Sequence, residues 1–89
     1  MEKTMLIFKA KITVKKKPSV ADPEGKTISE ALSRLGYNGI ISVRSGKVFH
    51  LEIEAESEDS AREKIAKISG DILSNPVIEN YEMEIERIS

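Results

Sequence analysis

The sequence predicts an α+β fold, a two-layer βαββαβ sandwich in which two helices cover one face of a four-stranded antiparallel sheet. Three observations support this prediction. Apolar and polar residues alternate with the period of half-buried strands in separate segments. Between these segments lie two stretches with the apolar spacing of amphipathic helices. The 89 residues contain no linker or repeat, so we expect a single domain spanning residues 1–89.

The first strand and the first helix occupy the N-terminal part of the chain. Strict alternation predicts a strand over Phe8–Val14. The helix is expected to begin after Asp22, which would cap it, with Pro23 at the first helical position. Gly25 makes a turn an equally good interpretation here, whereas Gly36 is expected to end the helix in the left-handed conformation. The apolar face of this helix would consist of Ile28, Ala31, Leu32 and Leu35.

A β-hairpin is predicted in the middle of the chain. Its strands would be Ile40–Arg44 and Val48–Glu56, joined by the short segment Ser45-Gly46-Lys47. Gly46 would supply the positive φ that such a turn requires. The hairpin would form the second and third strands of the sheet.

The second helix is expected to begin after Ser57, which would cap it, with two acidic residues at the positive end of the helix dipole. Gly70 weakens this helix by about 1 kcal/mol relative to alanine. Asn75 and Pro76 should end it, because a residue that precedes proline disfavours the helical conformation. The final strand is predicted from the alternation over Tyr81–Glu86. The buried stripe of the helix would consist of Ala61, Ile65, Ile68 and Ile72.

The charges nearly balance overall, with 14 basic and 15 acidic residues, but they are unevenly distributed. Residues 1–17 hold six lysines and one glutamate, whereas residues 50–89 hold four basic and eleven acidic residues. Right-handed crossovers favour the strand order 4-1-3-2 of a ferredoxin-like sheet. Lys9 and Lys11 would then lie between glutamate rows on both neighbouring strands, so nucleic-acid binding is not needed to explain them. This pairing does not explain Lys15–Lys17.

The composition excludes several kinds of catalytic site. With no cysteine and one histidine, the chain cannot form a thiol nucleophile, a disulfide or a multi-histidine metal cage. His50 lacks an accompanying serine and aspartate, so a paired surface residue is favoured over a catalytic base. We therefore expect no catalytic residue and no metal ligand. The acidic residues that leave a hard-cation site open, although their spacing does not favour it, are Glu54, Glu56, Glu58 and Asp59.

Three further kinds of protein are not favoured. No apolar run reaches the roughly 18 residues of a membrane span and the first residues do not resemble a signal peptide, so we expect a cytoplasmic protein without membrane contact. Acylphosphatases hold phosphate in a loop with glycine and arginine after the first strand, and Lys15–Ser19 contains neither. RNA-recognition domains display aromatic residues on the open sheet face, whereas Phe8 and Phe49 are predicted to point inward.

Four short segments, in their order and spacing, match one family over nearly the whole chain. They are Lys17–Lys26 (KPSVADPEGK), Leu35–Tyr37 (LGY), Val43–Lys47 (VRSGK) and Asn75–Glu82 (NPVIENYE). Together they resemble the PurS family, the small subunit of phosphoribosylformylglycinamidine synthase. The departures are slight, since Ser19 stands where family members often have glycine and additional lysines precede Pro18.

The resemblance implies a subunit with no active site of its own. Proteins of this family bridge a large ATP-dependent synthetase subunit and a glutaminase subunit in purine biosynthesis, so that ammonia passes between two active sites. ATP and magnesium would be used by the large subunit, and no cofactor is expected in this one. The resemblance also implies self-association, commonly as a dimer. The alternative is a stand-alone ferredoxin-like module that binds a small regulatory ligand.

Contacts with partner subunits are predicted at two places. Arg44 and Lys47 would lie at the hairpin tip, where an exposed arginine beside a rigid turn suits a carboxylate or phosphate of a partner. A merely solvated tip remains the alternative. The second predicted contact consists of Asn75, Glu79 and Tyr81. The residues expected to have structural roles are Asp22, Pro23, Gly25, Gly36, Gly46 and Pro76.

Overall fold

The computed structural model describes residues 5–89, which form three strands and two α-helices. Helix α2 continues directly into a π-helical turn at Ser69–Leu73. The strands form one antiparallel sheet in the order β2-β1-β3. The elements are β1 (Leu6–Lys16), α1 (Pro23–Arg34), β2 (Gly46–Ala55), α2 (Glu58–Ile68) and β3 (Glu79–Arg87).

The predicted four-stranded ferredoxin-like sheet is wrong, because the sheet has three strands. Ile40–Arg44, the predicted second strand, has no regular secondary structure, and β2 pairs with β1 alone. Asp22, at the start of α1, binds both the backbone and the side chain of Ser45. This contact holds the segment beside α1 and away from β2. The β-forming residues favour an extended chain but do not specify the strand with which it pairs.

The order of the remaining strands is as predicted, with β1 between the other two. Lys9 lies opposite Glu52 on one side and Glu86 on the other, and Lys11 lies opposite Glu84. The predicted charge pairing across the strands is therefore confirmed. Lys11 Nζ lies 4.0 Å from Glu84 Oε2, and both side chains are about half exposed or more. Such a pair stabilises the sheet by at most about 1 kcal/mol.

The core lies between α2 and the inner face of the sheet. The inward-facing residues in the middle of β1, from Phe8 to Val14, are buried, and Phe8 points inward as predicted. Phe49, on β2, also packs against this core. Burial of each large apolar side chain contributes about 1.5–3 kcal/mol. The fully buried apolar residues are Phe8, Ala10, Ile12, Val14, Ala55, Ala61 and Ile65.

Helix α2 follows the prediction at its start and departs from it at its end. Ser57 caps the helix by accepting a backbone hydrogen bond, as expected. The turn at Ser69–Leu73 is π-helical and is closed by a 2.9 Å bond from the Ser74 N–H to the Ser69 carbonyl. The wider turn changes which residues face the core. Ser69 is buried, and Ile72, predicted to be buried, is 75% exposed.

Helix α1 makes no substantial contact with the sheet or with α2, so the prediction of two helices on one face is wrong. Gly25 is its only buried residue, and Leu35, on its apolar face, is 72% exposed. We call α1 and the chain that follows it the 23–45 arm. The arm makes the molecule elongated, with a radius of gyration of 17.7 Å, whereas a compact chain of this length has about 12 Å. The amphipathic pattern identifies the apolar face but not the surface that covers it.

Candidate functional site

The 23–45 arm joins the sheet at a junction built around the buried carboxylate of Asp22. Its Oδ1 accepts the Gly25 backbone N–H at 3.1 Å, which caps α1 as predicted, with Pro23 in the first helical turn. The same oxygen accepts the Ser45 hydroxyl at 2.8 Å, and Oδ2 accepts the Ser45 backbone N–H. One side chain therefore ties the beginning of the arm to its end.

These hydrogen bonds lower the pKa of Asp22 from its ordinary 3.8 to about 2. The Ser45 N–H has the largest effect, followed by the Gly25 N–H and the Ser45 hydroxyl. Lys16 acts in the same direction, whereas burial opposes the shift. Asp22 is therefore charged at neutral pH, and it acts as a structural anchor rather than a general acid.

Gly25 and Arg44 complete the junction. A Cβ atom on Gly25 would collide with the backbone carbonyl of Val43, so the close packing of α1 on this segment requires glycine. The Arg44 guanidinium donates to the carbonyls of Lys17, at 3.1 Å, and Val20, at 2.8 Å. Arg44 does not lie at a hairpin tip, since no hairpin forms there. Its contact with a partner subunit stays a prediction.

Two glycines had predicted conformational roles, and only one has the role expected. Gly36 ends α1 with φ 86°, as predicted. Gly46 has no positive φ, so its predicted role in a turn is wrong. It is instead the first residue of β2, and a Cβ atom there would lie 2.9 Å from the Val14 carbonyl oxygen. The close approach of two strands therefore explains this glycine.

The second predicted interface lies in a tight turn over residues 75–79, which we call the 75–79 turn. The Asn75 N–H donates to the Glu79 carboxylate at 2.7 Å, and the Val77 N–H donates to Asn75 Oδ1 at 3.1 Å. The N–H groups of Ile78 and Glu79 both donate to the Asn75 carbonyl, at 3.0 and 2.7 Å. Every backbone donor of the turn is thus bonded within the turn itself.

Neighbouring contacts hold the 75–79 turn against the rest of the molecule. The Lys17 N–H donates to the Ile78 carbonyl at 2.8 Å, which fixes the turn to the end of β1. The Tyr81 hydroxyl donates to the Ala66 carbonyl at 3.4 Å. Pro76 follows the end of the helical segment, as predicted. The contacts of Asn75, Glu79 and Tyr81 with a partner stay a prediction.

The structure brings together one residue from each predicted interface. Lys47 and Glu79 line the same small cleft at the end of the sheet, together with Lys16.

Two residues of these sites were not predicted from the sequence. Ser45 lies 23 positions from Asp22, and no local pattern links the two. Val77 is 79% exposed. The sequence places this apolar residue directly after a proline that ends a helix, and its exposure could have been predicted from that position.

The open face of the sheet carries polar residues, and His50 lies there opposite Lys11. Within residues 5–89, no group of three or more histidine, aspartate or glutamate side chains is arranged to hold a metal ion. In the same residues, no helix is both long and apolar enough to cross a membrane.

Replacing Asp22 with asparagine should lower the melting temperature at neutral pH by several degrees, because an amide cannot accept all three hydrogen bonds. Asp22 stabilises the folded state above its ordinary pKa of 3.8, and this contribution is lost as the pH falls towards about 2. The difference in melting temperature between the wild type and Asp22→Asn should therefore shrink over this interval, measured by circular dichroism.

The matched control for this experiment is Glu24→Gln. Glu24 is an exposed acidic residue in the first turn of the same helix. Its replacement should change the melting temperature much less than Asp22→Asn does. A difference between the wild type and Asp22→Asn that is the same at pH 7 and pH 2 would contradict the role assigned to the carboxylate.

The chain matches one known protein family over most of its length. Residues 9–87 match the sequence model of PurS, described as phosphoribosylformylglycinamidine (FGAM) synthase. The PurS subunit of Methanocaldococcus jannaschii is 37% identical over 82 residues, which cover 92% of this chain and 99% of that protein.

Solved structures give the same result. The crystal structure of Methanocaldococcus jannaschii PurS superimposes with a TM-score of 0.81 at 36% identity, covering 92% of this chain and 99% of that one. A chain in the structure of PurLQS from Thermotoga maritima gives a TM-score of 0.78 at 37% identity, covering 92% and 98%. The family match, the close relatives and the shared fold agree along nearly the whole length, and the chain belongs to the PurS family of FGAM synthase subunits.

Proposed function

We propose that the chain is the non-catalytic small subunit that joins the glutaminase and the ATP-dependent synthetase subunits of phosphoribosylformylglycinamidine synthase. The main support for this proposal is the similarity of this chain to a chain of the PurLQS structure, at 37% identity over 92% of this chain. The assembled enzyme would convert formylglycinamide ribonucleotide to formylglycinamidine ribonucleotide in the cytoplasm, with ammonia passing from the glutaminase to the synthetase. ATP and magnesium would be used by the large subunit.

Two copies of the chain would associate through their arms. The apolar face of α1, which includes Ile28 and Leu35, has no sheet to cover it. The inner face of the sheet, in turn, lacks a second covering helix, because α2 covers only part of it. A groove of about 330 Å³ remains beside α2, and its lining includes the apolar residues Ile53, Ile68 and Ile72. The arm of a second copy supplies the missing helix, and the two-fold arrangement makes the contact reciprocal.

The large exposed area of the chain also supports association of two copies. The chain has an accessible surface of 6739 Å², whereas a compact protein of its mass exposes roughly 5200 Å². The excess of roughly 1500 Å² is within the range that each partner buries in an obligate interface. A chain of 89 residues also has a small core of its own, so association contributes stability that the isolated fold lacks.

Reconstitution tests the proposed function. Glutamine-dependent synthesis of formylglycinamidine ribonucleotide should require this chain together with the synthetase and glutaminase subunits from the same source. Activity with added ammonia in place of glutamine should not require it, because external ammonia bypasses transfer between the subunits. A synthetase–glutaminase pair that is fully active with glutamine in the absence of this chain would contradict the proposal.

A stand-alone regulatory module would behave differently. Its ligand would occupy the groove of about 780 Å³ between α1 and residues 41–44. A metabolite of the pathway would then raise the melting temperature of the isolated chain, because a ligand that binds only the folded state stabilises it. We expect no such increase when the substrates and products of the synthase are added one by one.

A further inference from the structure

The 23–45 arm extends past the end of the sheet. The chain leaves β1 after Lys16 and re-enters the sheet at Gly46, and both positions lie at the same end, where Lys15 is opposite Gly46. The molecule is 64 Å long, whereas the 11 residues of β1 span roughly 36 Å. Since α1 makes no substantial contact with the sheet or with α2, its apolar face lies away from the groove of its own chain.

The length of the connecting segment would nevertheless allow α1 to fold back. Residues 17–22 span roughly 20 Å when extended. The helical segment that ends at Leu73 lies nearby, because the 75–79 turn that follows it is bonded to Lys17. Two surfaces joined by a short flexible linker meet at an effective concentration of about 1 mM. At about 1 μM protein, a freely moving α1 would therefore fill the groove of its own chain rather than that of a second copy.

The two connections of the arm to the sheet are bonded to each other. Asp22, at the end of the first connection, accepts both the backbone N–H and the hydroxyl of Ser45, at the start of the second. The Arg44 guanidinium donates to the carbonyls of Lys17 and Val20, which lie in the first connection. A turn also closes this connection on itself, with a 2.9 Å bond from the Val20 N–H to the Lys17 carbonyl. Reversal of the arm requires the bonds between the two connections to break.

We propose that the junction is a conformational device that holds the arm open, so that α1 covers the groove of a second copy and not the groove of its own chain. When the bonds of Asp22 and Arg44 are removed, the arm folds back and α1 enters the groove beside Ile53 and Ile68 of the same chain. The chain then becomes a compact monomer. This inference rests on the proposed function, because it states what selects the self-association described there.

The test combines sedimentation velocity with small-angle X-ray scattering of the isolated chain. Asp22→Ala with Arg44→Ala should raise the Kd for dimerisation by at least about tenfold, because the arm is then free to compete within its own chain. The radius of gyration of the resulting monomer should fall from 17.7 Å towards about 12 Å. The matched control is Lys26→Ala with Glu30→Ala, which also removes one basic and one acidic side chain, both exposed on α1. The control should change the Kd by less than about twofold.

A distance measured within one chain shows directly where α1 lies. The chain contains no cysteine, so Ser33→Cys on α1 and Lys67→Cys at the rim of the groove provide two unique sites for spin labels. Labelled chains are diluted with an excess of unlabelled chains, so that only distances within one chain are measured. The distance should be shorter in the junction variant than in the otherwise wild-type chain.

Arg44→Ala alone keeps the test decisive if the double variant fails to fold. Arg44 is exposed, so its removal leaves the buried carboxylate of Asp22 with all its partners, and both measurements should shift in the same direction by a smaller amount. A wild-type Kd in the junction variants would overturn the inference, as would a monomer that stays elongated with an unchanged distance between the labels. A wild-type chain that is monomeric and elongated at every concentration would instead overturn the self-association in the proposed function.

Discussion

Substitution of Gly25 by alanine will destabilise the chain and loosen the 23–45 arm. The added Cβ would collide with the Val43 carbonyl and would lie 2.7 Å from the carboxylate of Asp22. Neither neighbour can move freely, because Asp22 is bound to Ser45 and Val43 is part of the backbone beside it. Overpacking of this kind costs about 1–3 kcal/mol. Chemical denaturation should show the loss directly.

The same substitution at Gly70 is the matched control. Gly70 is also helical, but no atom outside its local backbone lies within 4 Å of the position that a Cβ would occupy. Alanine favours a helix over glycine by about 1 kcal/mol, so Gly70→Ala should stabilise the chain. If the free energy of unfolding falls in Gly25→Ala and rises in Gly70→Ala, the contact with Val43 is identified as the cause. Equal effects at the two positions would contradict the role of the junction.

Local patterns were sufficient to predict about half of the architecture. Alternation identified β1 and β3, because a half-buried strand must present apolar residues at every second position. The caps at Asp22 and Ser57 were also predictable, since a capping side chain bonds to N–H groups only two or three residues away. The charge pairing around Lys9 followed from the strand order. Each of these features depends on near neighbours or on a general rule of topology.

The features that the sequence did not reveal depend on contacts between distant parts of the chain. The bond between Asp22 and Ser45 draws Ile40–Arg44 away from β2, and nothing near either residue indicates it. The position of α1 could not be predicted because an amphipathic helix does not specify its partner. The 75–79 turn had a similar limit. The NPV segment was recognisable in the sequence, but the exposure of Val77 follows from the fold of the turn, in which Asn75 and Glu79 bond to its N–H groups.

Replacing Ile28 and Leu35 together with glutamate should convert the proposed dimer into a monomer. Both residues lie on the exposed apolar face of α1, which the proposed association would bury against the sheet of a second copy. Two carboxylates cannot be buried there without pairing, so the Kd for dimerisation should rise by at least about a hundredfold. Sedimentation velocity at several concentrations measures this directly. Because folding and association are linked, the melting temperature should also fall.

A control on the opposite side of α1 separates loss of the interface from added charge. Lys26→Glu with Ser33→Glu makes the same helix at least as acidic, yet both residues are exposed and lie away from the apolar face. This variant should remain dimeric. If both double variants dissociate equally, negative charge on the arm would be responsible and the apolar contact would be refuted. If neither dissociates, the groove beside Ile53 and Ile68 must be covered by something other than α1 of a second copy.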